Sequence, residues 1–454
     1  MAILEKIYEI SPIFLQNLMV SLQGYRNNKS RYGATYHEHR AFLQDFDTWP
    51  FDKKIAYQNT ELQRFLAHAN QNSPFYKQLY QAVDLSSITT PEALSQLPMV
   101  DKELLRQNMD EVAAISKKDA VISKTGGTTG VSLKVYVDPN DRMRRMAMLD
   151  HFKSRVGFEH RVMKRASFSS KHLVPPRQKQ KVFWRYNASC KQMLYSVFHL
   201  SEANMPHYIA SLNKFKPDAL DSNLSPIRDI ANYIKRHHIK IDFQLKAIFP
   251  TAESLMPEDR ELFSEVFGVK TYDQYASGEL APFITECPHG RLHIEHASGI
   301  FEHFEPNSDE VLVTSFTSHG TPLIRYRIGD AVVLDTNAAF CSCGIESVMA
   351  TEIIGRKADF LYSTDGAKIY NVSSLVKNIP NAVIRIQVKQ DKIGEALALL
   401  EIDKNHYKPE YDDIFRRDFA YRVGSDTKLT IQHVDSIPRE RSGKFSLIKN
   451  TVKL

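Results

Sequence analysis

Six residues between positions 125 and 130 have the types and spacing that suit phosphate chemistry. They are Thr125, Gly126, Gly127, Thr128, Thr129 and Gly130, and Lys134 follows shortly after them. Glycines let backbone amides approach an anion closely, and threonine hydroxyls add donors that can follow moving phosphate oxygens. The segment lacks the Gly-Lys-Ser/Thr of a Walker A loop and the GxGxxG of a dinucleotide turn. By itself it predicts either a phosphate-binding loop of another kind or a glycine-rich hairpin.

A second group of residues has the chemistry of a metal site. Its thiols and imidazoles are Cys287, Cys341, Cys343, His289, His293 and His296. A Cys-x-Cys pair followed by Gly344 can give two thiolates to one metal, and three sulfurs with one imidazole form a common tetrahedral zinc site. The alternative is three buried free thiols with surface histidines. The two halves are about fifty residues apart, so only the fold can bring them together.

Several further motifs follow the Thr/Gly segment in order. They are Thr251-Ala252-Glu253, Tyr275-Ala276-Ser277-Gly278-Glu279, the stretch 322–330 that ends in Asp330, Gly355-Arg356, and Ile437-Pro438-Arg439 with Ser442-Gly443-Lys444. Taken alone, Asp330 is also typical of a turn that closes a strand, and Lys444 is also typical of a solvated lysine in a C-terminal turn. Together, the motifs resemble the adenylate-forming superfamily of acyl-CoA synthetases and peptide-synthetase adenylation domains. Within that superfamily, the chain is similar to the branch of phenylacetate–CoA ligases and capsule-biosynthesis proteins.

The resemblance implies a nucleotide site. It places Ala252 and Glu253 along the adenine, with Tyr275 packed on the adenine ring. Asp330 then binds the ribose hydroxyls, and Arg356 lies near the ribose and a phosphate. The cofactor-binding residues expected on this basis are Thr125, Gly126, Gly127, Thr128, Thr129, Gly130, Lys134, Ala252, Glu253, Tyr275, Ala276, Ser277, Gly278, Asp330 and Arg356.

The reaction implied by the resemblance is the attack of a carboxylate on the α-phosphorus of ATP, which gives an acyl-adenylate and pyrophosphate. This displacement depends on charge neutralisation and alignment more than on proton transfer. Magnesium held by Glu279 would bridge phosphate oxygens, and Lys444 would bring a point charge to the reacting groups. The expected catalytic residues are Lys444, Glu279, Thr128 and Arg356.

The same branch implies which residues bind zinc. Some relatives carry a zinc site with a Cys-x5-His arrangement, and that spacing selects Cys287 and His293, with His289 as the substitute. The expected ligands are Cys287, His293, Cys341 and Cys343. Four protein ligands leave no open coordination position, so we expect a structural role.

The elements expected around these motifs indicate an α/β fold. The first 110 residues have helical spacing, notably over 55–68, and Ser73-Pro74 predicts a new helix start. Short β-rich runs flank the Thr/Gly segment, and helices alternate with strands between 200 and 300. Strands are also expected at 383–388 and 429–434. We predict a large multi-layer adenylate-forming domain over residues 1–354 and a small, mobile α+β domain over 355–454 that carries Lys444.

Three functions remain open at this point. The first is acyl transfer to coenzyme A, with phenylacetate-like acids as the default. The second is transfer to an amine or sugar in capsule or O-antigen polysaccharide biosynthesis without coenzyme A. It is favoured by Ala358, which stands where the hinge motif usually has Asp, and by the bases of the aromatic-rich stretch 167–201. The third is a non-catalytic nucleotide-binding scaffold, which the joint presence of Glu279, Asp330, Arg356 and Lys444 argues against.

Composition limits the partners. Among 454 residues, Lys and Arg exceed Asp and Glu by 59 − 53 = 6, and the clusters 142–145 and 235–240 suit solvated helix faces better than a nucleic-acid footprint. No apolar run reaches the roughly 18 residues that span a bilayer. The apolar residues of 10–22 suit either a membrane surface or, as is more common, a helix packed on its own domain. Four cysteines and a poor signal peptide favour a cytoplasmic protein.

Overall fold

The protein is described by a computed structural model. It covers residues 2–124, 133–169, 171, 173–175, 178, 180–201, 203–253, 255–306, 308–335, 340–354, 360–370, 375, 378–380, 382–402, 404, 407–437 and 447–452. The phosphate segment 125–130, the hinge residues Arg356 and Ala358, and Lys444 lie outside this part of the chain.

The chain begins with helices, as the sequence predicts. They are α1 (Ala2–Ile10), α2 (Ile13–Lys29), α3 (Ala34–Asp47), α4 (Phe51–Asn72), α5 (Pro74–Leu79), α6 (Lys102–Gln107) and α7 (Met109–Val112). Helix α4 buries Leu62, Phe65 and Ala69, which share one face of the helix. The start expected at Ser73-Pro74 is confirmed, because the Ser73 side chain accepts from the Tyr76 amide at the N-terminus of α5.

One sheet has five strands in the order β5-β6-β4-β7-β8. Its strands are β4 (Arg165–Ser169), β5 (Trp184–Asn187), β6 (Gln192–Ser196), β7 (Ala219–Asn223) and β8 (Ala247–Thr251). All neighbouring pairs are parallel except β5 and β6. The helices that accompany it are α9 (Met205–Phe215), α10 (Leu224–Arg236) and α11 (Pro257–Phe267). This alternation confirms the predicted α/β layers.

A second sheet has eight strands in the order β12-β13-β14-β15-β11-β10-β9, with β1 paired to β14. They are β1 (Val100–Asp101), β9 (Gln274–Tyr275), β10 (Ile284–Glu286), β11 (Leu292–Ile294), β12 (Gly299–His303), β13 (Glu310–Ser315), β14 (Tyr326–Asp335) and β15 (Met349–Ile353). Apolar residues of this sheet and of α4 and α5 form one core. The hairpin of β2 (Val121–Lys124) and β3 (Lys134–Val137) flanks the phosphate segment, and α8 spans Pro139–Arg155.

The C-terminal part is a small α+β unit. Its strands are β16 (Phe360–Tyr362), β17 (Lys368–Tyr370), β18 (Val383–Lys392), β19 (Glu395–Ile402), β20 (Lys428–Val434) and β21 (Ile448–Asn450), with α12 at Glu410–Val423. The order β20-β19-β18-β21 confirms the strands expected at 383–388 and 429–434. The domain boundary at residue 355 stays a prediction. Among the described helices, none has the length and apolarity needed to cross a membrane.

Candidate functional site

A buried carboxylate, Glu279, lies just after β9 between two donors. Its Oε1 accepts from the Lys102 ammonium at 3.2 Å, and its Oε2 accepts from the Tyr326 hydroxyl at 2.5 Å. Parallel pairing of β1 with β14 places Val100 beside Tyr326, so the sheet register brings both donors to the same carboxylate. A carboxylate is a ligand that Mg²⁺ prefers, and in this structure the Glu279 carboxylate is held by one ammonium and one hydroxyl.

We predict that Tyr326→Phe lowers the free energy of unfolding by about 1.5–3 kcal/mol, because it removes a buried hydrogen bond to a charged acceptor. Chemical denaturation of the two proteins measures this difference. Tyr76→Phe is the matched control, because Tyr76 is equally buried and its hydroxyl donates to the neutral Pro322 carbonyl at 2.8 Å. We expect the control to lose only about 1 kcal/mol. Equal losses would show that Glu279 is not a charged acceptor.

Two residues expected at the nucleotide lie together. The Tyr275 hydroxyl donates to Asp330 Oδ2 at 2.8 Å, and the Tyr275 side chain is buried. Tyr275 lies in β9 and Asp330 in β14, so the bond joins distant parts of the sheet. Ala276 and Gly278 are exposed beside them, with Ser277 half-buried. The Tyr275 ring, the Asp330 carboxylate and the exposed residues Ala276 and Gly278 therefore lie at one place.

The turn after β9 is held by Arg145 of α8. This buried guanidinium donates to the carbonyls of Ser277 at 3.3 Å, Leu280 at 3.1 Å and Ala281 at 2.8 Å. Burial lowers the pKa of Arg145 to about 9. The interpretation of 142–145 as a solvated face is therefore wrong for Arg145. Met148 and Phe152 are buried on the same face of α8 as Arg145. This helical spacing is the signal in the sequence that could have indicated the burial of Arg145.

A half-buried acid, Asp273, precedes β9. Burial raises its pKa to about 7, and repulsion from Glu286 acts in the same direction. The folded chain therefore keeps a proton that the unfolded chain loses, so stability falls as pH rises from about 4 to about 7.

We predict that Asp273→Asn raises the Tm more at pH 8 than at pH 5, with a difference of about 2 kcal/mol in unfolding free energy. Thermal denaturation at the two pH values measures it. Asp309→Asn, at an exposed position, is the control and should change neither value. A gain of the same size at both pH values would contradict the assignment.

The adenine segment lies at the carboxyl end of β8. This strand ends at Thr251, and Ala252 follows with a positive φ of 69°. A left-handed conformation at a residue other than glycine costs about 1–2 kcal/mol and is common at binding sites. Ala252 is exposed and Glu253 half-buried. In open parallel sheets, ligands bind at the carboxyl ends of the strands, so the position suits a nucleotide.

The other residues expected at the nucleotide either lie apart from Glu279 and Tyr275 or lie outside the described part of the chain. Lys134 is exposed at the start of β3, with its ammonium 5.1 Å from the centre of the Tyr136 ring. Thr125, Gly126, Gly127, Thr128, Thr129, Gly130, Arg356 and Lys444 lie outside the described residues. Within the stretch 167–201, Arg185 is fully buried and donates to Gln16 Oε1 at 2.5 Å. Arg185 therefore serves the packing and is not a substrate-facing base.

The four expected zinc ligands form one cluster. Their ligand atoms all lie within 4.8 Å of one another, and the residues are Cys287, His293, Cys341 and Cys343. Cys287 Sγ lies 3.8 Å from Cys341 Sγ, and Cys343 Sγ lies 3.5 Å from His293 Nε2. A tetrahedron with metal–sulfur bonds of about 2.3 Å has sulfurs about 3.8 Å apart. The spacing of the donors therefore fits a zinc ion.

The protonation state and orientation of His293 also fit a metal. Burial lowers the pKa of His293 to about 4, so the imidazole is neutral, as a ligand must be. Its Nδ1 lies 2.7 Å from the Ser347 hydroxyl, which leaves Nε2 directed at the thiols. His289 contacts Ser342 instead, at 2.7 Å, and His296 Nε2 accepts from the Val348 amide. The cluster thus contains His293 and neither of the other two histidines.

Comparison with solved structures identifies the fold. A 2-hydroxyisobutyryl-CoA ligase in complex with 2-HIB-AMP and CoA superposes with a TM-score of 0.57 at 16% identity, covering 89% of this chain and 91% of that chain. The fold is therefore that of the adenylate-forming ligases, as the motifs predicted.

Sequence relatives define the family. Protein CapK of Staphylococcus aureus is 35% identical over 99% of this chain and 100% of its own length, and the CapK C-terminal domain family matches residues 361–451. The chain belongs to the CapK family. Phenylacetate-coenzyme A ligase of Thermus thermophilus is 23% identical over 88% of this chain and 91% of its own. Indoleacetate–lysine synthetase of Pseudomonas savastanoi is 24% identical over 78% of this chain and 84% of its own.

Proposed function

We propose that the chain activates a carboxylic acid with ATP, releases pyrophosphate and transfers the acyl group to coenzyme A. The observation that carries this proposal is the grouping of Glu279 with Lys102 and Tyr326 beside the Tyr275–Asp330 pair. It offers a buried carboxylate for magnesium and, in Asp330 beside the exposed residues Ala276 and Gly278, polar and open surface for a nucleoside. The phenylacetate-coenzyme A ligase relative, the CoA ligase fold and the expected adenylation motifs support the same activity.

The proposed roles follow from the positions of the residues. Glu279 would hold magnesium, which neutralises charge on phosphate oxygens when bound. Tyr275 and Asp330 orient the adenosine, and Arg145 keeps the turn after β9 in place. The segment 125–130 with Thr128 would bind the β- and γ-phosphates.

The second part of the proposal is a division of labour along the chain. Residues 1–354 bind ATP and the acid, and residues 355–454 form a lid that supplies Arg356 and Lys444. Zinc bound by Cys287, His293, Cys341 and Cys343 would hold the large domain together and would take no part in the reaction, because four protein ligands leave no coordination position open. A cytoplasmic location is part of this proposal, because it provides both ATP and coenzyme A.

A second candidate acceptor is an amine, on an amino acid or on a sugar of a capsule or O-antigen polysaccharide. The relative named indoleacetate–lysine synthetase supports transfer to an amine. Ala358 at the hinge also favours it, since it departs from the motif of ligases that rotate the lid to form a thioester. A non-catalytic scaffold is the third candidate, and the joint presence of Glu279, Asp330 and Lys444 argues against it.

Pyrophosphate release from ATP and magnesium, measured against a panel of carboxylic acids with and without coenzyme A, tests the proposal. We expect release that depends on one class of acid, and thioester formation when coenzyme A is present. Release with no thioester, followed by product formation on adding amines, would select the second acceptor. No release across the panel, in a protein that binds ATP, would overturn the enzymatic proposal.

A further inference from the structure

Helix α2 packs against its own domain through polar side chains. Those that face inward are Gln16, Asn17, Ser21 and Asn28, and Gly24 lies on the same face in close approach to the domain. A surface helix of a globular protein normally does the opposite, with its apolar face inward. The sequence prediction of a helix packed on its own domain is therefore right about the packing, but the face in contact is the polar one.

The inward polarity has a physical cause in strand β5, which is the edge of the five-stranded sheet. An edge strand leaves backbone groups without a neighbouring strand. Asn17 Oδ1 accepts from the Tyr186 amide at 2.9 Å. The Ser21 hydroxyl accepts from the Ala188 amide at 3.0 Å and lies 3.2 Å from the Tyr186 carbonyl. Helix α2 thus takes the place of a neighbouring strand through its side chains.

The outward face of α2 is apolar and exposed. Phe14 is 74% exposed, Leu18 52%, Leu22 55% and Tyr25 59%, and Ile10 at the end of α1 is 84% exposed. Steps of four, four and three residues put the α2 members on one stripe. Residues 10–25 contain no charged side chain. Because the packing of α2 does not use this stripe, its apolar character requires another explanation.

Charge at the end of the stripe indicates the kind of partner. Arg26 and Lys29 are exposed in the last turn of α2, and Arg31 follows. No Asp or Glu occurs between residues 10 and 37. An apolar stripe flanked by basic side chains is typical of helices that lie in the headgroup region of an anionic bilayer.

The size of the stripe argues against a second copy of the chain as the partner that covers it. From Phe14 to Tyr25 the helix rises about 17 Å, at about 1.5 Å per residue. With a width of about 10 Å, the stripe covers about 170 Å², whereas a stable protein contact needs about 800 Å² on each partner. A bilayer surface has no such requirement, since each inserted side chain and each basic residue contributes separately.

We infer that α2 docks on an anionic phospholipid surface, with Phe14, Leu18, Leu22 and Tyr25 in the headgroup region and Arg26 and Lys29 at lipid phosphates. This inference is independent of the proposed reaction, because neither ATP nor acid takes part in it.

Flotation of the full chain with vesicles tests the inference. We expect binding to vesicles of phosphatidylcholine with about 30% phosphatidylglycerol, weaker binding at high salt, and little binding to phosphatidylcholine alone. Leu18→Gln/Leu22→Gln should reduce binding at least tenfold. The matched control is Val162→Gln/Tyr421→Gln, which changes two apolar side chains exposed elsewhere and should bind as the unmodified protein does.

Charge reversal gives a second, independent variant. Arg26→Glu/Lys29→Glu should lose binding to the anionic vesicles, whereas Lys214→Glu/Lys240→Glu, also exposed, should keep it. Thermal denaturation checks that all variants fold. Equal binding by stripe and control variants would overturn the inference, as would absence of binding to anionic vesicles. A dimer that Leu18→Gln/Leu22→Gln converts to monomer would also overturn it, and would assign the stripe to a contact between two chains.

Discussion

Lys444→Ala should lower the rate of pyrophosphate release by at least about a hundredfold while ATP binding stays largely intact. The reaction brings a carboxylate up to an α-phosphate, and both groups are negative. A positioned positive charge lowers the energy of this encounter more than that of bound ATP, so its loss acts on the rate. Removing one preorganised donor of this kind typically costs about 3–4 kcal/mol. Pyrophosphate release measures the rate, and calorimetry measures ATP binding.

The control for this experiment is Lys428→Ala, which removes an exposed lysine of the same C-terminal unit and should leave the rate unchanged. Lys444→Arg keeps the positive charge but changes its shape and reach, so we expect partial activity. Unchanged turnover in Lys444→Ala would remove the lysine from the reaction. Loss of ATP binding together with the rate would make it a binding residue instead.

Much of the fold could be predicted because its cause is local. The α4 helix follows from apolar residues on one face, and Ser73-Pro74 marks the start of α5 by its own chemistry. Strands β18 and β20 follow from partial two-residue alternation of apolar side chains. The nucleotide residues Tyr275 and Asp330 could be named from their motifs, although their mutual hydrogen bond could not.

The residues that sequence reasoning missed act across long separations. Lys102 reaches Glu279 over 177 positions, and Arg145 reaches the Ser277 carbonyl over 132. A lysine after a short strand and an arginine in a basic cluster look like solvated side chains until the sheet register is known. Pairing of β1 with β14 creates the contact of Lys102, and no local pattern contains it.

Helix α2 shows a different limit of sequence reasoning. The sequence predicts a helix packed on its own domain, and such helices normally turn their apolar residues inward because burial of apolar surface stabilises them. The edge of β5 reverses this, since its amides and carbonyls need polar partners that only the other face of the helix supplies. A sequence pattern gives the two faces of a helix but not which neighbour each face meets.

Removal of the zinc ligands should have the largest effect on stability. We expect about one zinc per chain in protein purified without chelators, and none in Cys341→Ser/Cys343→Ser. The two thiols lie in a short segment before β15, and Cys287 and His293 lie at and after the β10–β11 turn. A bound ion would join these segments, so its loss should lower the unfolding free energy by several kcal/mol. Metal analysis and thermal denaturation measure the two effects.

Cys190→Ser is the matched control. Cys190 is buried and lies far from the cluster in the sequence, so this substitution should leave the metal content unchanged.

Acid should release the ion, because the thiols must lose protons to bind it. The His293 imidazole stays neutral down to about pH 4, because burial lowers its pKa. Release of the metal near neutral pH by the Cys343→Ser variant alone would show that Cys343 is one of the ligands that hold it. Full stability and no metal in the unmodified protein would leave three free thiols packed together, and would rule out a structural zinc.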